Sequence, residues 1–307
     1  MSPKTRGDVP AYLPFHVEVS RTVRLSPSFV RVTFAGDTLC DFADNGLDQR
    51  INVILPHDGA DFGFCAEPDW YQAWRSLPPP AQPPLRTYTV REVRPRAGEL
   101  DVDFVLHGDG GPASRWVGAA VPGDRLVVVG PNARCPEPTG AVEWAPPPGA
   151  DRLLLAGDET AVPAISVIAA ALTPAARGRI LLEVPEPDDE LPLAAPPGVE
   201  VAWLPRTGAQ AHGDLLVPAV QEAVRALAAP AQEAAGRGPE SLDDLEDVDE
   251  DELWEIPETP GGDGFYAWLA GEAGMVRRMR RHLVQDAGVD RSSVAFMGYW
   301  RLGRPPR

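Results

Sequence analysis

The proline run V-E-W-A-P-P-P-G-A, Val142 to Ala150, separates two hydrophobic periods that cannot belong to one layer of structure. Before it, apolar residues recur at every second position in FHVEVSRTVRL from Phe15 and SFVRVTF from Ser28, and further short strands follow at INVILP from Ile51, LRTYTVREV from Leu85, ELDVDFVLH from Glu99 and RLVVVGP from Arg125. Alternation of this kind places one face of a strand on a core and the other toward solvent. After it, near-continuous apolar runs such as RLLLAG from Arg152, RILLEV from Arg179 and FYAWLAG from Phe265 alternate with segments of helical period. Strands buried on both faces and separated by helices form parallel sheets. The expectation is β + α/β: an antiparallel β-barrel over residues 15–145, then a parallel-sheet α/β domain over 150–307, behind a tail of residues 1–14. A chain of 307 residues is long enough for both. Short helices are expected at DWYQAWRSL from Asp69 and GPASRWVGAA from Gly111.

Charge narrows the partners. A net charge of -17 disfavours nucleic acid and anionic membrane surfaces. No apolar run reaches membrane-helix length, and MSPKTRGDVPAYLP lacks a signal-peptide core, so a cytoplasmic monomer is expected. Lys4 is the sole lysine, so any basic site must be built from arginine. Cys40, Cys65 and Cys135 have no C-x-x-C spacing and read as buried small residues in a reducing compartment, with no metal site. Eleven of the 45 acidic residues fall between Glu240 and Glu258, inside an insertion over about 232–262. Two readings stand: a self-repelling solvated segment, and a docking segment for a basic partner.

Three motifs carry chemistry. In LRTYTVREV, Leu85 to Val93, neither alternating set of side chains is apolar. Arg86 and Arg91 offer charge for phosphates, Tyr88 a flat wall for a ring, and Thr89 or its backbone a small donor; the other reading is an edge strand with solvated arginines. H-G-D-G-G-P-A-S-R-W, His107 to Trp116, ends a strand and starts a helix at Pro112. Gly111, Ala113 and Ser114 at that helix start form an anion site, or else a hairpin turn into a surface helix. A-G-D-E-T-A-V-P-A-I, Ala156 to Ile165, lies at a strand-to-helix junction where ligands bind in open α/β sheets, without a G-x-G-x-x-G. Asp158 and Glu159 there suit a helix N-terminus, as ligand-site residues or as caps.

In this order, with Y-A-W-L-A-G-E-A-G (Tyr266 to Gly274), R-R-M-R-R-H-L (Arg277 to Leu283) and G-Y-W-R-L-G (Gly298 to Gly303), the motifs resemble the siderophore-interacting protein family of FAD-dependent ferric-siderophore reductases. The resemblance implies a ferredoxin-reductase-like fold, FAD in the barrel, and NADPH or NADH as electron donor. It assigns Arg86, Tyr88, Thr89, Arg91, His107, Ser114 and Thr160 to the flavin, Gly271 and Glu272 to the nicotinamide, and Thr87, Gly111, Ala113, Asp158 and Ala161 to cofactor binding. It implies hydride transfer to the flavin and single-electron transfer to chelated Fe(III), with no catalytic side chain. On the substrate side Asn52, Asn132, Arg134, Arg301 and Arg304 are expected. Asn52 and Asn132 stand where the family carries basic residues, which points away from a trianionic catecholate and toward a less charged ferric chelate. Two alternatives remain: a flavin reductase serving a protein electron partner in specialised metabolism, and a flavoprotein that binds a chelate without turnover. Arg206 is open between a 2′-phosphate ligand and a surface arginine, and His16, His57, His212 and His282 read as surface or structural.

Overall fold

The computed structural model describes residues 9–57, 62–106, 111–137, 139–207, 210–227, 254–257 and 264–303. His107, Arg304 and nearly all of the acidic insertion lie outside the described residues. The chain divides into two compact units, residues 1–142 and 143–307.

The first unit is a closed antiparallel barrel of six strands in the order β1-β2-β5-β4-β3-β6. These are β1 (Tyr12–Arg24), β2 (Phe29–Ala35), β3 (Arg50–Ile54), β4 (Leu85–Arg94), β5 (Glu99–Val105) and β6 (Arg125–Pro131). Period-two alternation sends Val17, Val32, Val53, Val102 and Val128 inward, and closure leaves no open edge. Helix α1 (Trp70–Arg75) starts where the Asp69 carboxylate accepts the Gln72 N–H at 3.1 Å. Its Trp70 and Trp74 cover a second cluster with Ile54, Phe64, Val127 and Leu85. Helix α2 (Pro112–Ala119) is seated by Trp116, whose ring stacks on Phe34 with centroids 6.3 Å apart.

The second unit is a six-stranded sheet ordered β10-β12-β11-β7-β8-β9. Strands β7 (Arg152–Gly157), β8 (Arg177–Val184), β9 (Val199–Pro205), β11 (Phe265–Glu272) and β12 (Val294–Trp300) run parallel. The two-residue β10 (Trp254–Glu255) pairs antiparallel with β12, so the sheet is mixed where a purely parallel one was expected. Two residues carry no readable period, which is why the edge strand escaped the sequence. All eight residues of β11 are buried, as required of a central strand covered on both faces. Helices α4 (Leu216–Leu227) and α5 (Ala273–Arg281) share a core with β7, β11 and β12, and α3 (Val162–Ala171) buries Ile165 and Ile168.

The cysteines differ from expectation. All are free thiols, but only Cys65 is buried, and burial pushes its thiol up to about 12. Cys40 is exposed because its 3-10 turn, Asp37–Asp41, turns Leu39 inward instead.

Candidate functional sites

Strand β4 carries the densest set of expected ligands. Register pairs Tyr88 with Ile51 and Arg86 with Val53, so both share the face that leads into the barrel core. Tyr88 packs 4.3 Å from Phe104, and burial raises its phenol above the ordinary range. Arg86 is half-buried, and its hydrogen bond goes to the carbonyl of Leu85 at 2.7 Å. Desolvation lowers its pKa, and no carboxylate pairs with it among the described residues. On the other face Thr87 donates to the Asn52 side chain at 3.0 Å, and Thr89 is buried. A bulge between Val90 and Glu92 breaks the register at Arg91. Among the described residues Arg91 is left with one long ion pair, Nε to Asp103 Oδ2 at 3.8 Å.

The start of α2 has the form expected of an anion cradle. Gly111 is extended, Pro112 occupies the first turn, and no side chain caps the helix among the described residues. Ala113 and Ser114 are buried there, with the Ser114 hydroxyl 3.4 Å from the Val105 carbonyl. Half-buried cations, aligned amides and an aromatic wall fit the phosphates and ring of a flavin dinucleotide.

The expected substrate residues are not equivalent. Asn132 is buried, donating to the Pro10 carbonyl at 2.8 Å and accepting the Arg134 N–H at 3.0 Å. Its side chain is thus engaged in two hydrogen bonds within the fold. Arg134 is largely exposed and bonds Asp41 at 2.8 Å. Arg301 is half-buried beyond β12.

In the second unit the strand ends converge on Asp158, which is fully buried. Oδ1 accepts the N–H and hydroxyl of Thr160; Oδ2 accepts the Glu272 N–H at 2.7 Å and the Trp300 indole N–H at 2.9 Å. Oδ2 ties β11 and β12 to the end of β7, so Asp158 is a clamp, while Oδ1 holds Thr160, whose hydroxyl is turned onto it. Gly271 has φ 139°, and a Cβ there would lie 2.7 Å from the Asp158 carboxyl carbon. Ala161 is buried against Gly157. Glu272 caps α5, accepting the Met275 N–H at 2.8 Å.

Next to this clamp Arg206 bridges two buried carboxylates, Glu159 at 3.0 Å and Glu183 at 3.1 Å. It is not the surface arginine that was one reading of its place after β9. Glu183 also accepts the N–H groups of Gly213, Leu215 and Leu216, fixing the start of α4. One guanidinium shared by two acids leaves Glu159 the weaker claimant. Burial, then the Asp158 charge, raise Glu159 to about 8. His212 lies 4.0 Å from Glu159 and edge-on to Trp300 at 4.8 Å; burial first, then Arg206, lower its pKa. Asp158, Glu159 and His212 bring donor atoms within 4.8 Å of one another, but Arg206 already supplies the compensating charge. Trp300 was missed by sequence reasoning, since its partner is 142 positions away.

Two family profiles match the chain. Residues 18–135 match the siderophore-interacting FAD-binding domain and residues 150–303 the siderophore-interacting protein. The structure of the siderophore-interacting protein SipS from Aeromonas hydrophila is 31% identical, with a TM-score of 0.67, covering 96% of this chain and 94% of that one. The ferric vibriobactin reductase ViuB of Vibrio cholerae is 28% identical over 298 residues, 97% of this chain and 93% of that protein. An Escherichia coli NADPH-dependent ferric-chelate reductase is 36% identical over 116 residues, 37% of this chain and 43% of its own length.

Proposed function

The chain belongs to the siderophore-interacting protein family, and from that premise we propose that it is an FAD-dependent reductase of ferric siderophores that draws electrons from NAD(P)H. The observation that carries the flavin assignment is Arg86. A guanidinium held half-buried, with no carboxylate partner among the described residues, bears a desolvation cost that an anionic ligand offsets. Arg86 and Arg91 hold the cofactor's phosphates, assisted by the amides at the start of α2, and Tyr88 walls the ring.

The bound flavin supplies the exchange between a two-electron donor and a one-electron acceptor. The protein's part is to bind, orient and shield; no side chain needs to accept or donate a proton at iron. The clamp at Asp158 sets the strand ends that receive the nicotinamide, with Gly271 letting the β11 backbone close onto the Asp158 carboxylate and Glu272 holding α5. Ferrous iron binds hard oxygen donors far more weakly than ferric iron, so reduction of the chelate releases it.

Anaerobic titration of the purified protein with NADPH and with NADH tests this reading. The expected result is a yellow protein whose absorption bleaches with at least one donor and returns on addition of a ferric chelate. A protein without flavin absorbance, or one that neither donor bleaches, would overturn it. Among the described residues no helix is long and apolar enough to cross a membrane.

A further inference from the structure

Asp103 stands between two arginines and treats them unequally. It faces Arg31 across the β2–β5 pair, and the two are in direct register. Arg31 donates twice, Nε to Oδ1 at 2.6 Å and Nη2 to Oδ2 at 2.8 Å, in the bidentate fork that fits a carboxylate best. Arg91 comes no nearer to Asp103 than 3.8 Å, Nε to the same Oδ2. Beside them, Arg94 bonds Glu92, Glu99 and Asp101 at 2.8–2.9 Å. Arg31 and Arg94 are thus saturated by short contacts with carboxylates, whereas Arg91 stands off the one it has among the described residues.

The bulge at Arg91 allows this stand-off, because it moves that residue out of the cross-strand register. Were Asp103 free of Arg31, both its oxygens would be open to a bidentate pair with Arg91. Such a pair would hold the Arg91 guanidinium on the barrel and cancel its charge.

We propose that Arg31 is a positioning residue for the flavin site: by occupying Asp103 on both oxygens it keeps that carboxylate from capturing Arg91, and so leaves Arg91 for the cofactor's phosphates. The inference rests on the reading of Arg91 as a phosphate ligand. Arg31 itself need not touch the flavin. Its effect is confined to the phosphorylated part of the ligand, because Arg91 meets only that part.

The test is a set of titrations of flavin-free protein, full chain, followed by flavin fluorescence. Arg31→Gln weakens FAD binding about fivefold, the equivalent of one partly screened ion pair, and leaves riboflavin binding unchanged. Its FAD affinity also falls less steeply with salt. Adding Asp103→Asn removes the competing carboxylate and restores FAD affinity to within about twofold of the parent. Asp103→Asn alone serves as the second variant should Arg31→Gln fail to fold, and it binds FAD at least as tightly as the parent. Arg91→Gln separates the two layers of the argument. If it leaves FAD affinity unchanged, the phosphate role of Arg91 falls. If it weakens FAD but Arg31→Gln does not, or the double variant is not rescued, or a folded Asp103→Asn protein binds FAD more weakly, the positioning role of Arg31 falls.

Discussion

Arg86 carries a charge into a half-buried position with a neighbouring carbonyl as its hydrogen-bond partner. Replacing it with glutamine removes the charge and keeps a donor. The expected result is a loss of FAD affinity of about tenfold or more, read by flavin content and titration, with little loss of thermal stability. Glu159 gives the opposite kind of test. Its folded pKa of about 8 lies above the ordinary carboxylate value, so the folded state keeps a proton that the unfolded chain has released. That contribution is full below the ordinary carboxylate range and is lost as pH rises through about 8. Glu159→Gln mimics the protonated form, and its melting temperature should fall less steeply than the parent's between about pH 5 and pH 8. Which residues could matter was legible in LRTYTVREV; how they divide was not. Tyr88 and Val90 turn out to pack on the barrel core, while Arg91 is displaced by a bulge that no local pattern announces. Arg206 was unreadable for a different reason: its partners Glu183 and Glu159 lie 23 and 47 positions upstream.

At the carboxyl ends of β7, β11 and β12, geometry is set by backbone as much as by side chains. Gly271 combines a left-handed φ with close approach to Asp158 and to Met275 Cε, 2.8 Å from where its Cβ would lie. Gly271→Ala should therefore destabilise the second unit by about 3 kcal/mol, measured by denaturant unfolding. A result within about 0.5 kcal/mol of the parent would mean the strand end relaxes freely. The barrel strands and the β/α alternation were readable because each repeats one period over five or more residues. The clamp was not, because it joins residues from three separate segments, and β10 was too short to show a period.

Charge governs the molecule as a whole. With a net charge of -17 and a single lysine, the protein repels anionic reactants at long range. Reoxidation of the reduced protein by a trianionic ferric catecholate should accelerate with ionic strength, whereas a neutral ferric hydroxamate should show a flat dependence in stopped flow. Faster reaction with the catecholate at low salt would show that local arginines outweigh the overall field. The structure sharpens this expectation, since Asn132 is withdrawn into the fold and Asn52 is bonded to Thr87. Asp158 has a further consequence for how the protein can diverge. Its two oxygens accept four donors from three parts of the chain, so asparagine would set an NH2 against two of them and glutamate would overreach. A position so constrained tolerates almost no drift, and alignments of relatives would show it as invariant. Such invariance where strand ends converge invites a catalytic interpretation, whereas in this fold it records a side chain that ties three strand ends together.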